Sequence, residues 1–185
     1  ALHVAFSALD TAPSPTEEAL WEHEGVVEAL MKERAVLPVR FGAVLRDDEL
    51  AALAEREPEF VSALERVRGK LEFSLRAAWP ARGVDGADAE TTVSQARAPI
   101  AVAPGGSASA DFDALHQPLA RVAVDAVIDV RHEHRPELTA AYLVAADRAP
   151  AFRALVDRLA TEIADVTLAC TGPWPPYSFA SAGDA

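Results

Sequence analysis

Eight residues near the C-terminus, Gly172-Pro173-Trp174-Pro175-Pro176-Tyr177-Ser178-Phe179, hold three prolines and three aromatic rings in a chain that is only 6% aromatic. Proline lacks an amide donor and clashes with the preceding turn, so this run cannot be helix. The same missing donors exclude a central strand. What remains is a stiff, extended segment that presents large rings. Such a segment has two uses. It can be a ligand for an aromatic groove of the SH3 or WW kind, or it can fold back and pack its rings on its own domain. The second is favoured for Trp174, because large aromatic area is most often buried with the indole N–H partnered.

The chain has 185 residues, enough for one domain or two small ones. Its formal net charge is −12, from 17 basic and 29 acidic residues. A polyanion is repelled by that field, so neither nucleic acid nor an anionic membrane is expected as a partner. The acidity keeps an alanine-rich surface dispersed. Apolar runs fall far short of the roughly 20 residues that span a bilayer, and the start lacks the basic-then-apolar pattern of a signal peptide. The lone Cys170 forbids an internal disulfide, which fits a cytoplasmic protein. Met31 is the only methionine, and sequence preceding Ala1 is therefore expected.

Periodicity predicts alternating strands and helices. Leu2–Leu9 reads as a strand. Ser14-Pro15-Thr16-Glu17 reads as a helix start with a capping box, and Leu20, His23, Val27, Leu30 and Met31 recur at helical spacing. Val36–Phe41 is a short strand-like run whose Pro38 argues for an edge or bulge. Asp47-Asp48 begins a second helical region, which Pro58 breaks or restarts. Leu71, Phe73 and Leu75 alternate in a strand over 70–79. That strand either completes the first unit or pairs with the second. Residues 81–110, rich in glycine, proline, alanine and serine, read as a linker or mobile loop. A helix follows from about Asp111, carrying Leu115, Leu119, Val122 and Ala126, with Pro118 near its start. Leu138–Ala145 is a strand, Phe152 to Ile163 a helix behind Pro150, and Val166–Cys170 a final strand. The class is α+β: two small α/β-alternating units joined by a flexible linker. The expected division is 1–80, 81–110 and 111–185.

No catalytic constellation emerges. His132-Glu133-His134 with Glu137 is the most metal-like cluster, but its spacing is not that of a zincin helix, and a solvated helix end accounts for it. Cys170 in an apolar strand reads as a core thiol rather than a nucleophile. Asp47-Asp48-Glu49 reads as a helix cap, and His23 as a packed histidine. Gly105-Gly106-Ser107 lacks the lysine of a phosphate loop. No enzyme, cofactor or metal is predicted.

The octapeptide at 172–179 resembles the C-terminal signature of the gas vesicle protein F/L family (GvpF/GvpL). Further blocks match in order. These are His23–Met31 followed by Leu37-Pro38-Val39-Arg40-Phe41-Gly42, then Leu64–Phe73 with Gly69-Lys70-Leu71-Glu72, and Ala140–Val144 around Tyr142 with Phe152 downstream. The signature residues are thus Leu37, Pro38, Val39, Arg40, Phe41, Gly42, Tyr142, Gly172, Pro173, Trp174, Pro175, Pro176, Tyr177 and Phe179. The resemblance implies a ferredoxin-like first unit and a non-enzymatic role in gas vesicles. It implies an assembly factor or minor structural component that associates with the hydrophobic shell protein, gas vesicle protein A, and with other gas vesicle proteins in the cytoplasm. Two features depart from the family: the extra N-terminal strand is missing, and residues 81–110 lack the usual helical pattern. The alternative is a regulatory α+β module that binds a small molecule between its units. Arg40 is expected to pair with an acidic group near the domain junction, where Pro38 and Gly42 set the backbone.

Overall fold

The computed structural model describes residues 2–8, 11, 13–46, 49, 52–80, 107–131 and 136–180. The chain forms helices α1 (Glu17–Met31), α2 (Glu57–Val67), α3 (Ser107–Val122) and α4 (Ala149–Glu162). Its strands are β1 (Lys70–Ala78), β2 (Asp125–Arg131), β3 (Glu137–Ala145) and β4 (Thr167–Trp174). They fall into two compact units, residues 70–174 and residues 1–69 with 175–185.

The unit at 70–174 holds the sheet. Along β1, Phe73, Leu75 and Ala77 alternate onto one face and are essentially inaccessible to water, as a period of two requires. Leu138, Ala140, Tyr142 and Val144 do the same along β3. Helix α3 adds Leu115 and Leu119, and α4 adds Phe152, Val156 and Leu159 at helical spacing, closing one core. The Phe152 ring lies 5.0 Å from Phe73 and 5.4 Å from Tyr142. Truncating a ring so enclosed costs about 3–5 kcal/mol.

The sheet order is β2-β3-β1-β4, with every neighbouring pair antiparallel. Register places Phe73 opposite Tyr142, and Leu75 between Ala140 and Cys170. The β-α-β-β-α-β sequence with this order is the split βαβ arrangement of ferredoxin-like folds. It lies in 70–174, not in the N-terminal unit where the resemblance placed it. The α+β class itself is what the chain adopts.

In the other unit, Thr16 caps α1, its Oγ1 accepting from the Ala19 amide at 3.2 Å. The cap is therefore Thr16 rather than Ser14. A 3-10 turn at Leu53–Arg56 leads into α2, whose first turn holds Pro58, the restart that proline predicts. Val27, Ala63 and Val67 are buried. Among the described residues of this unit there is no strand. Both expected strands, over 2–9 and 36–41, are corrected accordingly. Val4 and Phe6 stay 43% and 69% exposed, so the first run has no buried face to hold it in a sheet. In the second run, Pro38 lacks a donor and the Val39 carbonyl bonds to a side chain instead.

Three further expectations change. The expected boundaries at 80 and 111 move, because β1 pairs with β3 and β4 while Pro175–Phe179 group with the first unit. Helix α3 begins at Ser107, inside the expected linker, and encloses Pro118 instead of starting near it. Its buried Leu115, His116 and Leu119 hold the helix across the missing amide. It also stops at Val122, and Ala126 belongs to β2. The rest of the expected linker, 81–106, lies outside the described residues.

Candidate interaction surface

The octapeptide is divided between the two units after Trp174. Gly172 to Trp174 end β4, an edge strand, where proline is tolerated. Gly172 adopts φ +115°, and a Cβ there would lie 2.7 Å from the Glu72 carbonyl oxygen and 3.3 Å from Phe73 Cα. Only glycine fits both the backbone angle and the space. The Gly172–Pro173 peptide is cis. The Arg153 guanidinium donates to the Gly172 carbonyl and covers the Phe73 ring at 5.6 Å. Trp174 is half-buried, its Nε1 donating to Thr171 Oγ1 at 3.1 Å.

Pro175 to Phe179 pack in the first unit. Tyr177 donates its hydroxyl to Glu24 Oε2 at 2.8 Å. Arg66 Nη2 donates to the Phe179 carbonyl at 2.7 Å. A 3-10 turn spans Tyr177–Phe179, with Pro176 and Phe179 fully buried. Burial, and then the bond to Glu24, raise the Tyr177 hydroxyl pKa above its ordinary value. The segment thus packs on its own chain and is not presented as a free proline-rich ligand.

The block at 37–42 folds against α1. His23 Nε2 lies 2.9 Å from the Val39 carbonyl oxygen, and the His23 and Phe41 rings meet edge to face at 5.7 Å. Pro38 is buried, Leu37 and Phe41 are half-buried, and Gly42 takes φ +80° in the turn. Val39 and Arg40 point to solvent. No described carboxylate pairs with Arg40.

Tyr142 lies in the core of the sheet unit, its hydroxyl 2.9 Å from His116 Nδ1. Phe112 stacks on the His116 ring, with centroids 5.6 Å apart. His116 Nε2 and Asp113 Oδ1 are buried without a hydrogen-bond partner. Burial lowers the His116 pKa, against the pull of the Asp113 carboxylate, and it raises the Tyr142 pKa. Burial also raises the Cys170 pKa, in keeping with a structural thiol. His116 was missed in the sequence, although its spacing from Phe112, Leu115 and Leu119 places it on the apolar face of α3.

His132, Glu133, His134, Asp47, Asp48, Gly105 and Gly106 lie outside the described residues. Among the described ones, no group of three His, Cys, Asp or Glu side chains is arranged to hold a metal, and no helix is long and apolar enough to cross a membrane. An open cavity of about 370 Å³ lies at one end of the sheet, lined by Ala78, Trp79, Pro80, Asp165, Val166 and Thr167. It gathers no pair of groups suited to acid–base chemistry.

The larger asymmetry is in apolar exposure. Val4, Phe6, Leu20, Trp21, Val26, Val39, Val44, Leu45 and Val61 are well exposed, and all lie in the first unit. Val124 is the one such side chain among the described residues of 70–174. Singly exposed hydrophobics are ordinary, but here they are concentrated in one small unit.

The sequence model of the family described as "Gas vesicle synthesis protein GvpL/GvpF" matches residues 2–181. Gas vesicle protein F of Streptomyces sp. (strain CB03234) is 31% identical, with the alignment covering 89% of this chain and 78% of that protein. Gas vesicle protein L of the same organism is also 31% identical, over 88% of this chain and 69% of that protein. The crystal structure of GvpF from Anabaena sp. PCC7120 matches with a TM-score of 0.69 at 15% identity, over 96% of this chain and 83% of that one. That from Microcystis aeruginosa matches with a TM-score of 0.68, over 95% and 83%.

Proposed function

The chain belongs to the GvpL/GvpF family of gas vesicle synthesis proteins and has a role in gas vesicle formation, and we propose that it fills this role by associating with the hydrophobic shell protein, gas vesicle protein A. A very apolar shell subunit must be kept from aggregating before it polymerises. The supporting observation is the exposed apolar surface of the unit formed by residues 1–69 and 175–185. Covering apolar side chains of the subunit with these residues removes both from water, at about 25 cal/mol per Å² buried. The net charge of −12 keeps the resulting complex dispersed through self-repulsion. The protein acts as an assembly factor or minor structural component, without catalysis, in the cytoplasm and at the gas vesicle.

Co-expression with gas vesicle protein A followed by affinity capture tests this. The shell protein is expected to be retained, with a larger soluble fraction than when expressed alone. Failure to retain it under conditions where it stays soluble refutes the association.

A further inference from the structure

Among the described residues, nothing accounts for the outer face of α1. Trp21 is 61% exposed and Val26 56%. Trp21, Gly25 and Ala29 follow at i, i+4 and i+8, and so form one line along the helix. Gly25 sits in the helix interior, where glycine is the poorest former after proline. A Cβ built on it meets nothing within 4 Å. Internal packing therefore gives no reason for its missing side chain.

Charge on this helix is equally uncompensated. Residues 17–31 contain Glu17, Glu18, Glu22, Glu24 and Glu28 and no lysine or arginine, the first being the C-cap Lys32. Glu18 with Glu22, and Glu24 with Glu28, are like charges four apart, which destabilise a helix. Glu28 lies near the C-terminal end, with no cation in the last turn to offset the macrodipole. Glu18, Glu22 and Glu28 form no ion pair with any described residue. By helical spacing, Glu18 and Glu22 flank one side of the Trp21–Gly25 line and Glu28 the other, while Glu17 continues the line and accepts from Trp21 Nε1 at 3.5 Å.

We infer that the outer face of α1 docks an amphipathic helix whose apolar stripe is bordered by lysine or arginine. Gly25 and Ala29 let the two helix axes approach closely, since interaxial distance follows side-chain size at the contact. Trp21 supplies the apolar anchor, the residue type most enriched among interface hot spots. The partner's cations meet the glutamates on both borders, which fixes register and speeds encounter. A second copy of this chain is a poor occupant, because a two-fold interface would set the same acidic borders against each other. An anionic membrane is repelled by the same charges. The inference rests on the proposed association and names its face and the kind of shell-protein segment that fits.

Two arms separate the inference from that association. In the first, the full chain is titrated calorimetrically with two synthetic amphipathic helices of about five turns, roughly 18 residues. They share a leucine stripe and carry either lysine or glutamate borders. The lysine-bordered peptide is expected to bind at least about tenfold tighter. Gly25→Leu, and separately the pair Glu18→Lys with Glu22→Lys, are each expected to weaken it by about tenfold or more. Thermal melts of the free variants show that the fold persists; Gly25→Leu replaces a poor helix former with a good one and is expected to melt no lower than wild type. Equal affinity for the two peptides, or unchanged affinity in Gly25→Leu, overturns the inference.

In the second arm the same variants are used to capture gas vesicle protein A. Loss of capture in both variants supports the docking face. Undiminished capture by Gly25→Leu overturns the face and leaves the association standing. A Gly25-dependent peptide complex without shell-protein capture by the wild type refutes the association and leaves the docking face standing.

Discussion

Adding one methyl group at Gly172 should destabilise the sheet unit, and the size of the effect follows from two independent terms. At φ +115° an L-residue occupies a region it rarely adopts, a strain of order 1–3 kcal/mol. The new Cβ also falls 2.7 Å from the Glu72 carbonyl oxygen and 3.3 Å from Phe73 Cα. Both are backbone atoms of β1, which is paired on both sides by β3 and β4 and cannot step aside, so overpacking adds about 1–3 kcal/mol. Gly172→Ala should therefore cost about 2–6 kcal/mol. With a urea m-value of about 2 kcal/mol per molar, the midpoint falls by roughly 1–3 M. The assay is urea unfolding followed by far-UV circular dichroism and by tryptophan fluorescence, with Trp79 and Trp174 both in this unit. The control adds the same methyl at Gly25, where nothing lies within 4 Å. There it should stabilise by about 1 kcal/mol through helix propensity. If Gly172→Ala stays within about 0.5 kcal/mol of wild type, the steric account of this signature glycine is wrong.

Three further outcomes are expected. The pKa of His116 is lowered from 6.5 by burial, so the unfolded chain binds its proton more readily than the folded one. Its contribution to stability is complete above about pH 6.5 and is lost as pH falls toward the depressed folded value. The urea midpoint should fall with acidification below that pH, and less steeply in His116→Gln. Tyr177→Phe removes the donor to Glu24 Oε2, while Glu24 Oε1 is already buried and unpartnered. It should cost about 1.5–3 kcal/mol, measured in the same unfolding assay. Trp174→Ala should lower stability by about 1–3 kcal/mol. If it weakened only shell-protein capture and left the melt unchanged, the segment would not be an anchor.

Where buried faces repeat at a clean period, the sequence was legible. Phe73 and Leu75 in β1, Tyr142 and Val144 in β3, and Phe152, Val156 and Leu159 in α4 all have the period of the element that holds them. Pro58 and Pro150 correctly marked first turns. Strand β2 was hidden because Leu115, Leu119, Val122 and Ala126 continue a helical spacing, so the turn at Ala123–Val124 gave no local signal. The grouping of strands was also unreadable. Whether β1 pairs within the first unit or with β3 depends on long-range contacts that no window of the sequence contains. In the candidate surface, the family signature marked residues that hold the fold: Gly172, Tyr142, Tyr177 and Phe179 are explained by φ, burial and hydrogen bonds. Trp21 carried no signature. Its exposure depends on which face of α1 the rest of the unit covers, and periodicity alone does not report that.

Strands β1 and β4 are antiparallel neighbours, with Glu72 opposite Trp174. The chain therefore enters and leaves the unit at 70–174 at adjacent points, and that unit is an insertion within the other one. During synthesis, domains form as their residues emerge. The inserted sheet can close once Trp174 is out, whereas the surrounding unit waits for Pro175 to Phe179 to supply its buried Phe179 and its Tyr177 bond to Glu24. The unit that carries Trp21 thus completes its own packing only after the whole inserted sheet has been synthesised.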